Sequence, residues 1–302
     1  MTLVKKYVYL VNNKKKELDF AKAFKKEAEL NKFSYKEIKS TDCSLFYSRL
    51  ENVTKIFHNA QILPLKNSHW FIRTTQPSDF ATALLCIFLE RNNIPFTDKN
   101  LNTVHGIRTS KLSQTFQLTA NNCACPSTWV IPIGQFSNCE NIIIKTLNFP
   151  IIVKARGGLG ERVWKCTNKT ALRRKVKELE DEKKDDLILF QENINNKGDI
   201  RIVIFQNKVI ASIGRFSTTG FLNNVSQGGI AEAITITKDE KSLAIKAAKT
   251  VGLELAGVDI VRTTSGPLIF EVNKAPDITS FNKAAGFDIA ANISKSYFES
   301  LT

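Results

Sequence analysis

Two apolar runs near the C-terminal end of this chain each carry polar ligand-type side chains that an ordinary core would exclude. The first, "LAGVDIVR", holds Asp259. A Ser265-Gly266 turn follows, and "PLIFEVNKAP" then holds Glu271 and Asn273. Short apolar runs joined by such a turn read as a pair of strands. Residues i and i+2 of a strand share a face, so Glu271 and Asn273 point the same way, and the partner strand can set Asp259 beside them. Three hard oxygen ligands in apolar surroundings suit Mg²⁺, which takes one or two carboxylates plus substrate phosphates. The alternative, a hairpin with incidental charges at its rim, leaves carboxylates in apolar strands without a reason.

The rest of the chain alternates strand-like and helix-like segments, which favours a parallel or mixed sheet and an α/β (α+β) fold. At 302 residues it can hold two or three subdomains with real cores. Residues 1–105 are expected to form an N-terminal α/β unit, with strands "KYVYLV" and "HWFIRT". One helix there has a stripe at Leu18, Ala21, Phe24 and Ala28. A second, opened by Pro77-Ser78-Asp79, has a stripe at Phe80, Leu84 and Phe88. Residues 106–188 form a second unit. It contains the helix candidate "RTSKLSQTFQLTANN", a strand–glycine loop–strand in "PIIVKARGGLGERVWKC", and a surface helix with a stripe at Leu172, Val176 and Leu179. Residues 189–302 carry the remaining strands, "LILFQENI" among them, and two helices to cover their sheet.

Several loops in this order could serve a nucleotide. Lys154 ends a strand and Gly157, Gly158 and Gly160 follow it. Glycines let backbone N–H groups approach phosphate oxygens, and a lysine adds a point charge. The pattern is neither a Walker A loop nor a dinucleotide fingerprint, and a plain glycine hairpin fits it equally well. Downstream, an apolar strand leads into Gln191, Glu192, Asn193 and Ile194, whose backbone could meet an adenine edge, and Asp199 could accept from a ribose hydroxyl. Arg215 lies on a strand before "GFLNNVSQGG", where an arginine and amides can hold charge on a transferred phosphoryl group. A solvent-facing arginine is the plainer reading.

Charge and cysteines constrain the setting. The net charge is +14, which favours acidic partners or nucleotides, although a Lys- and Asn-rich composition accounts for it equally well. No basic patch interleaved with aromatics argues for nucleic acid. Six cysteines show no disulfide framework, and Cys123, Cys125 and Cys139 fit no standard zinc spacing. No apolar run approaches the ~20 residues of a membrane span, and the N-terminus reads as a first strand and not as a signal peptide. A cytoplasmic protein is expected.

The order Lys111, Lys154 with its glycines, Gln191-Glu192, Asp199, Arg215, Asn224, then Asp259, Glu271 and Asn273 resembles that of the ATP-grasp ligases. The resemblance is greatest to the RimK type, the ribosomal-protein glutamate ligases and their relatives. It covers roughly residues 68–298 and is strongest from Gln191 to Asp288. It implies an ATP-grasp fold behind an N-terminal α/β domain, with 106–188 as lid subdomain and 189–302 as catalytic, metal-binding subdomain. Lys111 and Lys154 would contact phosphates, and the loop from Gly157 through Gly158 to Gly160 would close over them. Gln191, Glu192, Asn193 and Ile194 would border adenine, Asp199 would face ribose, and Asn224 would sit near nucleotide or metal. Arg215 would stabilise the transferred group, and Asp259, Glu271 and Asn273 would hold two Mg²⁺ ions, with Mn²⁺ as a substitute.

The implied reaction joins a carboxylate to an amine through an acyl phosphate, with release of ADP and phosphate. The carboxylate and amine substrates would be drawn from an amino acid, a peptide or protein terminus, or a small metabolite, and a homo-oligomer is expected. A ribosomal-peptide tailoring ligase or macrocyclase, and a nucleotide-binding regulatory module without catalysis, stand as alternatives. Three departures from the family pattern bear on substrate identity. The glycine loop is one residue short, with Arg162 where a further glycine is common; cations usual near Leu222 and near Ser226-Gln227 are missing; and "NKAPDI" lacks the usual small-residue-Ser-Pro-Gly ending.

Overall fold

The computed structural model describes residues 5–14, 18–48, 53–75, 78–102, 111–155, 162–196, 198–216, 230–278, 281, 282, 284 and 286–301. The N-terminal part builds a parallel sheet in the order β2-β1-β6, from β1 (Lys6–Val11), β2 (Phe33–Ile38) and β6 (Ser68–Ile72). Helix α1 (Leu18–Leu30) crosses from β1 to β2. Between β2 and β6 runs a small antiparallel sheet of β3 (Cys43–Ser48), β4 (Val53–His58) and β5 (Gln61–Ile62). Helix α2 (Asp79–Arg91) covers the face that carries Trp70 and Ile72.

The α1 stripe is as expected at Ala21, Phe24 and Ala28, all buried. Of the α2 stripe, Phe88 alone packs on the core. Phe80 and Leu84 are 65% and 48% exposed, and the helix buries Leu85, Cys86 and Leu89 instead. A helix this apolar offers more than one row at the 3.6-residue period, and the row that meets Trp70 and Ile56 is the one that packs.

A four-stranded sheet follows, in the order β7-β10-β8-β9, from β7 (Thr128–Pro132), β8 (Ile151–Lys154), β9 (Val163–Cys166) and β10 (Leu187–Glu192). Helices α4 (Phe136–Leu147) and α5 (Lys169–Glu182) pack on it, the latter through the buried row Leu172, Val176 and Leu179. The boundary expected at 188/189 falls inside β10. That strand pairs with both β7 and β8, so its backbone hydrogen bonds belong to this sheet.

The last sheet has five strands in the order β13-β12-β11-β14-β15: β11 (Asp199–Phe205), β12 (Lys208–Phe216), β13 (Ile230–Ala233), β14 (Leu255–Thr263) and β15 (Gly266–Asn273). Both faces are covered, which is why β14 reads as almost continuously apolar. One face, with Ile200, Ile202, Ile204, Val258 and Ile260, meets α6 (Lys238–Val251) and Leu118 of α3 (Lys111–Ala120). The other, with Val203, Phe205, Ala211 and Ile213, shares a core with β1, β6, α1 and α7 (Ile289–Glu299). Helix α6 starts in a Thr237–Glu240 capping box and ends at Gly252, whose φ of 73° is the left-handed turn that glycine makes cheaply. Among the described residues no helix is long and apolar enough to cross a membrane.

Candidate active site

Strand alternation decides where the polar residues of the five-stranded sheet go. Ile200, Ile202 and Ile204 face α6, so Asp199 and Arg201 face the opposite way with Val203 and Phe205. Arg215 shares that face with Ala211 and Ile213, and Asp259 lies opposite the face of Val258 and Ile260. Antiparallel register then brings them together. Asp199 pairs with Arg215 across β11–β12, and Arg201 pairs with Asp259 across β11–β14. Asp259 pairs in turn with Glu271 across β14–β15, next to a bulge between Asp259 and Ile260.

The result is a chain of charges. Arg215 donates from Nε and Nη2 to the two carboxylate oxygens of Asp199 at 2.6 and 2.7 Å. Arg201 grips Asp259 the same way, at 2.5 and 2.6 Å. Arg215 Nη2 also lies 2.9 Å from Asp259 Oδ2, to which Asn273 Nδ2 donates at 3.2 Å. Two-pronged guanidinium–carboxylate pairs are short and directional. The cluster is buried, with Arg215 and Asp259 side chains 4% and 7% exposed, which removes the solvent-facing reading of Arg215.

The two aspartates titrate apart. Burial opposes ionisation of Asp259, yet the charges of Arg201 and Arg215 outweigh it and hold that carboxyl down at about 2. Burial and then the neighbouring Asp259 charge push Asp199 up to about 6 against the pull of Arg215. Arg215 is held above its ordinary value, because Asp259 and Asp199 outweigh its burial. Two carboxylates sharing one arginine ionise in sequence in this way.

A second polar group sits on the four-stranded sheet. Lys154 Nζ donates to Gln191 Oε1 at 2.7 Å, and Gln191 Nε2 donates to Thr128 Oγ1 at 2.9 Å. Glu192 Oε1 accepts from the Ser127 backbone N–H at 2.6 Å, and Asn193 and Ile194 follow, half-buried, at the end of β10. The stretch from α3 to β7 joins the two groups. Gln114 of α3 exchanges hydrogen bonds with the Val272 backbone at 2.8 and 3.0 Å, and Ala124 O accepts from Ile269 N at 2.8 Å. Lys111 opens α3 but its side chain lies outside the described residues, as do Gly157, Gly158, Gly160 and Asn224.

The structure thus brings together Asp199, Arg215, Asp259, Glu271 and Asn273 on one sheet, and Lys154 with Gln191 on another. Two side chains have partners that the sequence alone does not suggest. Asp199, expected toward ribose, is bound by Arg215, and Gln191, expected at adenine, is bound by Lys154 and Thr128. Arg201 was not among the expected residues. Its signal in the sequence is its place two residues after Asp199 on the same strand, hence on the same face. The donor set of Asp259, Glu271 and Asn273 consists of hard oxygens of the kind a divalent cation takes. As it stands Asp259 faces two guanidiniums, so a cation there would share the carboxylate with them.

Comparisons with known proteins bear on the same region. A family model described as the RimK-like ATP-grasp domain matches residues 108–297. Over 109 residues the chain is 47% identical to the ribosomal protein bS6--L-glutamate ligase of Salmonella paratyphi B, a match covering 35% of this chain and 36% of that protein. The chain therefore spans about a third of the length of the curated relatives it matches. In fold it is similar to the ATP-grasp ligase PsnB complexed with minimal precursor, with a TM-score of 0.73 at 16% identity over 99% of this chain and 100% of that one. It is also similar to the macrocyclase MdnC bound with precursor peptide MdnA from Microcystis aeruginosa, with a TM-score of 0.68 at 16% identity over 96% and 98% of the two chains.

Proposed function

This chain belongs to the RimK-like ATP-grasp family, and from that premise we propose that it is an ATP-dependent carboxylate–amine ligase. A carboxylate oxygen of one substrate attacks the γ-phosphorus of ATP, the bond to ADP breaks, and an acyl phosphate forms. An amine then attacks the acyl carbon, phosphate leaves, and the amine loses a proton. The observation that carries the reading is the buried cluster of Asp199, Arg201, Arg215 and Asp259 beside Glu271 and Asn273. Such a site concentrates fixed charge where a transferring phosphoryl group needs it.

Asp259, Glu271 and Asn273 would hold the divalent cations, two Mg²⁺ with Mn²⁺ as a substitute, which when bound neutralise charge on the phosphates. The other roles belong to the chain's own groups. Arg215, kept protonated by two aspartates, stabilises negative charge on the transferred group. Arg201 fixes the Asp259 carboxylate in one orientation and keeps it ionised. Lys154, whose ammonium Gln191 positions, would meet phosphate oxygens. Lys111 and the Gly157, Gly158 and Gly160 loop would add contacts to phosphate, with Glu192, Asn193, Ile194 and Asn224 about the nucleotide. The substrates would be an amino acid and a peptide or protein terminus, handled by a homo-oligomer in the cytoplasm.

The test is release of phosphate from ATP in the presence of hydroxylamine, which traps an acyl phosphate as a hydroxamate, with pools of amino acids and peptides as carboxylate donors. Hydroxamate is expected from the wild type and not from Asp259→Asn. Its absence with every pool, in a protein that binds ATP, would sink the ligase reading in favour of a nucleotide-binding module.

A further inference from the structure

The strand that carries Glu271 and Asn273 is held on its far side by a residue that the reaction above does not use. Among the described residues β15 is an outer strand of its sheet, paired on one side with β14. That pairing is interrupted next to the candidate cation ligands. Glu271 pairs with Asp259 and Ile269 with Ile260, so Phe270 is the extra residue of a bulge. A bulge breaks its ladder locally and lets the strand re-aim its side chains. Strand β14 alone therefore sets the direction of Glu271 and Asn273 less firmly than a regular ladder does.

The outer edge of β15 supplies the missing constraint. In an antiparallel pair, alternate residues turn both backbone groups toward the partner strand or away from it. The backbone groups of Val272, between Glu271 and Asn273, meet Gln114 of α3. Gln114 Nε2 donates to Val272 O at 2.8 Å, and Gln114 Oε1 accepts from Val272 N at 3.0 Å. A side-chain amide carries the donor and the acceptor of a peptide unit, so one glutamine stands here where a residue of a sixth strand would. Before the bulge, Ile269 N donates to Ala124 O at 2.8 Å, which fastens the edge on both sides of Phe270. Gln114 is itself buried. Leu118, one helical turn further on the same face of α3, packs in one core with Ile269 and Val272 and anchors the helix at this level. An apolar side chain at position 114 leaves Val272 without both of these bonds.

We propose that Gln114 is a positioning residue for the cation site, holding β15 in the register that turns Glu271 and Asn273 toward Asp259. The proposal rests on the reading of those three residues as cation ligands, and its test separates the two. Mn²⁺ binding to the full chain with the non-hydrolysable nucleotide AMP-PNP is read from water proton relaxation, and binding of metal-free AMP-PNP in EDTA from calorimetry. Gln114→Met is expected to weaken Mn²⁺ about tenfold or more, the loss usual for a group that orients a metal ligand, and to leave metal-free AMP-PNP unchanged. Combined with Glu271→Gln, it should weaken Mn²⁺ by less than the product of the two single effects, because both act through one strand. A purely structural glutamine would lower the melting temperature and leave the Mn²⁺ affinity of the folded protein where it was. Wild-type Mn²⁺ affinity in folded Gln114→Met, an equal loss for metal-free AMP-PNP, or a double variant in which the single effects multiply overturns the proposal. Gln114→Asn, whose amide is one methylene short of Val272, decides the same points if the Met variant does not fold. Weaker Mn²⁺ in Glu271→Gln beside wild-type affinity in Gln114→Met counts against Gln114 alone, whereas no Mn²⁺ binding by the wild type removes the cation site and this role with it.

Discussion

Replacing Arg201 by methionine removes one of the two guanidiniums on Asp259 while keeping an apolar stem in the strand. The wild-type Asp259 carboxyl titrates at about 2 against an ordinary 3.8. At about 1.4 kcal/mol per pH unit, a shift in that direction favours the folded state by roughly 2 kcal/mol at neutral pH. The sign follows from linkage: a carboxyl depressed by folding contributes stability above its unfolded value, near 4, and loses it as pH falls toward 2. In Arg201→Met the burial of Asp259 is opposed, among the described residues, by Arg215, at 2.9 Å, and Asn273, at 3.2 Å. Its pKa then rises, and ionised Asp259 becomes a cost to the fold. Breaking a buried pair costs about 3–5 kcal/mol, and the surviving Arg215 puts this case near about 3. Urea unfolding followed by circular dichroism should show that loss at pH 7 with an unchanged m-value, shrinking as pH is lowered toward 4. Adding Asp259→Asn should restore part of it by removing the unbalanced charge. A loss under about 1 kcal/mol, a loss independent of pH, or additive single variants would refute the reasoning.

Three further outcomes are expected. Gly257→Ala sets a methyl 2.8 Å from Pro276 Cβ, on a segment that Arg73 holds in place, so a loss of about 1–3 kcal/mol and a lower melting temperature should follow. Asp98, whose carboxylate accepts from the Glu254 and Leu255 backbone N–H groups at 2.5 and 3.2 Å, is raised by burial to about 7. Between its ordinary value and that one the folded chain keeps a proton the unfolded chain has lost, so wild-type stability should fall as pH rises from about 4 to 7, and Asp98→Asn should flatten that slope in denaturant titrations. Lys154→Met removes the ammonium held by Gln191 and should weaken Mg–AMP-PNP about tenfold or more in calorimetry; unchanged affinity in the folded variant would remove Lys154 from the nucleotide site.

The hairpin was legible because its signal is local. Apolar runs at strand length with a Ser-Gly turn set β14 against β15, and period two puts Glu271 and Asn273 on the face of Asp259. The row Leu172, Val176 and Leu179 was legible for the same reason. Arg201 was not, because its partner lies 58 residues away and meets it only through the β11–β14 register, which no local pattern encodes. The sheet to which β10 belongs is not legible, since a buried strand is apolar on both sides and its sequence does not name its neighbours. In α2, Phe80 and Leu84 fit the period as well as Leu85 and Leu89 do, and only the position of Trp70 separates the two rows. Strands β2 to β5, β7 and helix α4 give no clear local signal, their patterns being short or interrupted by polar residues.

Everything proposed for the reaction depends on Asp259, Glu271 and Asn273 gripping a divalent cation together with a nucleotide. Electron paramagnetic resonance of Mn²⁺ in the presence of ADP reports that directly. Bound Mn²⁺ in the wild type, with affinity at least about tenfold weaker in folded Glu271→Gln and Asn273→Ala, is the predicted result. Equal Mn²⁺ affinity in all three proteins would contradict it.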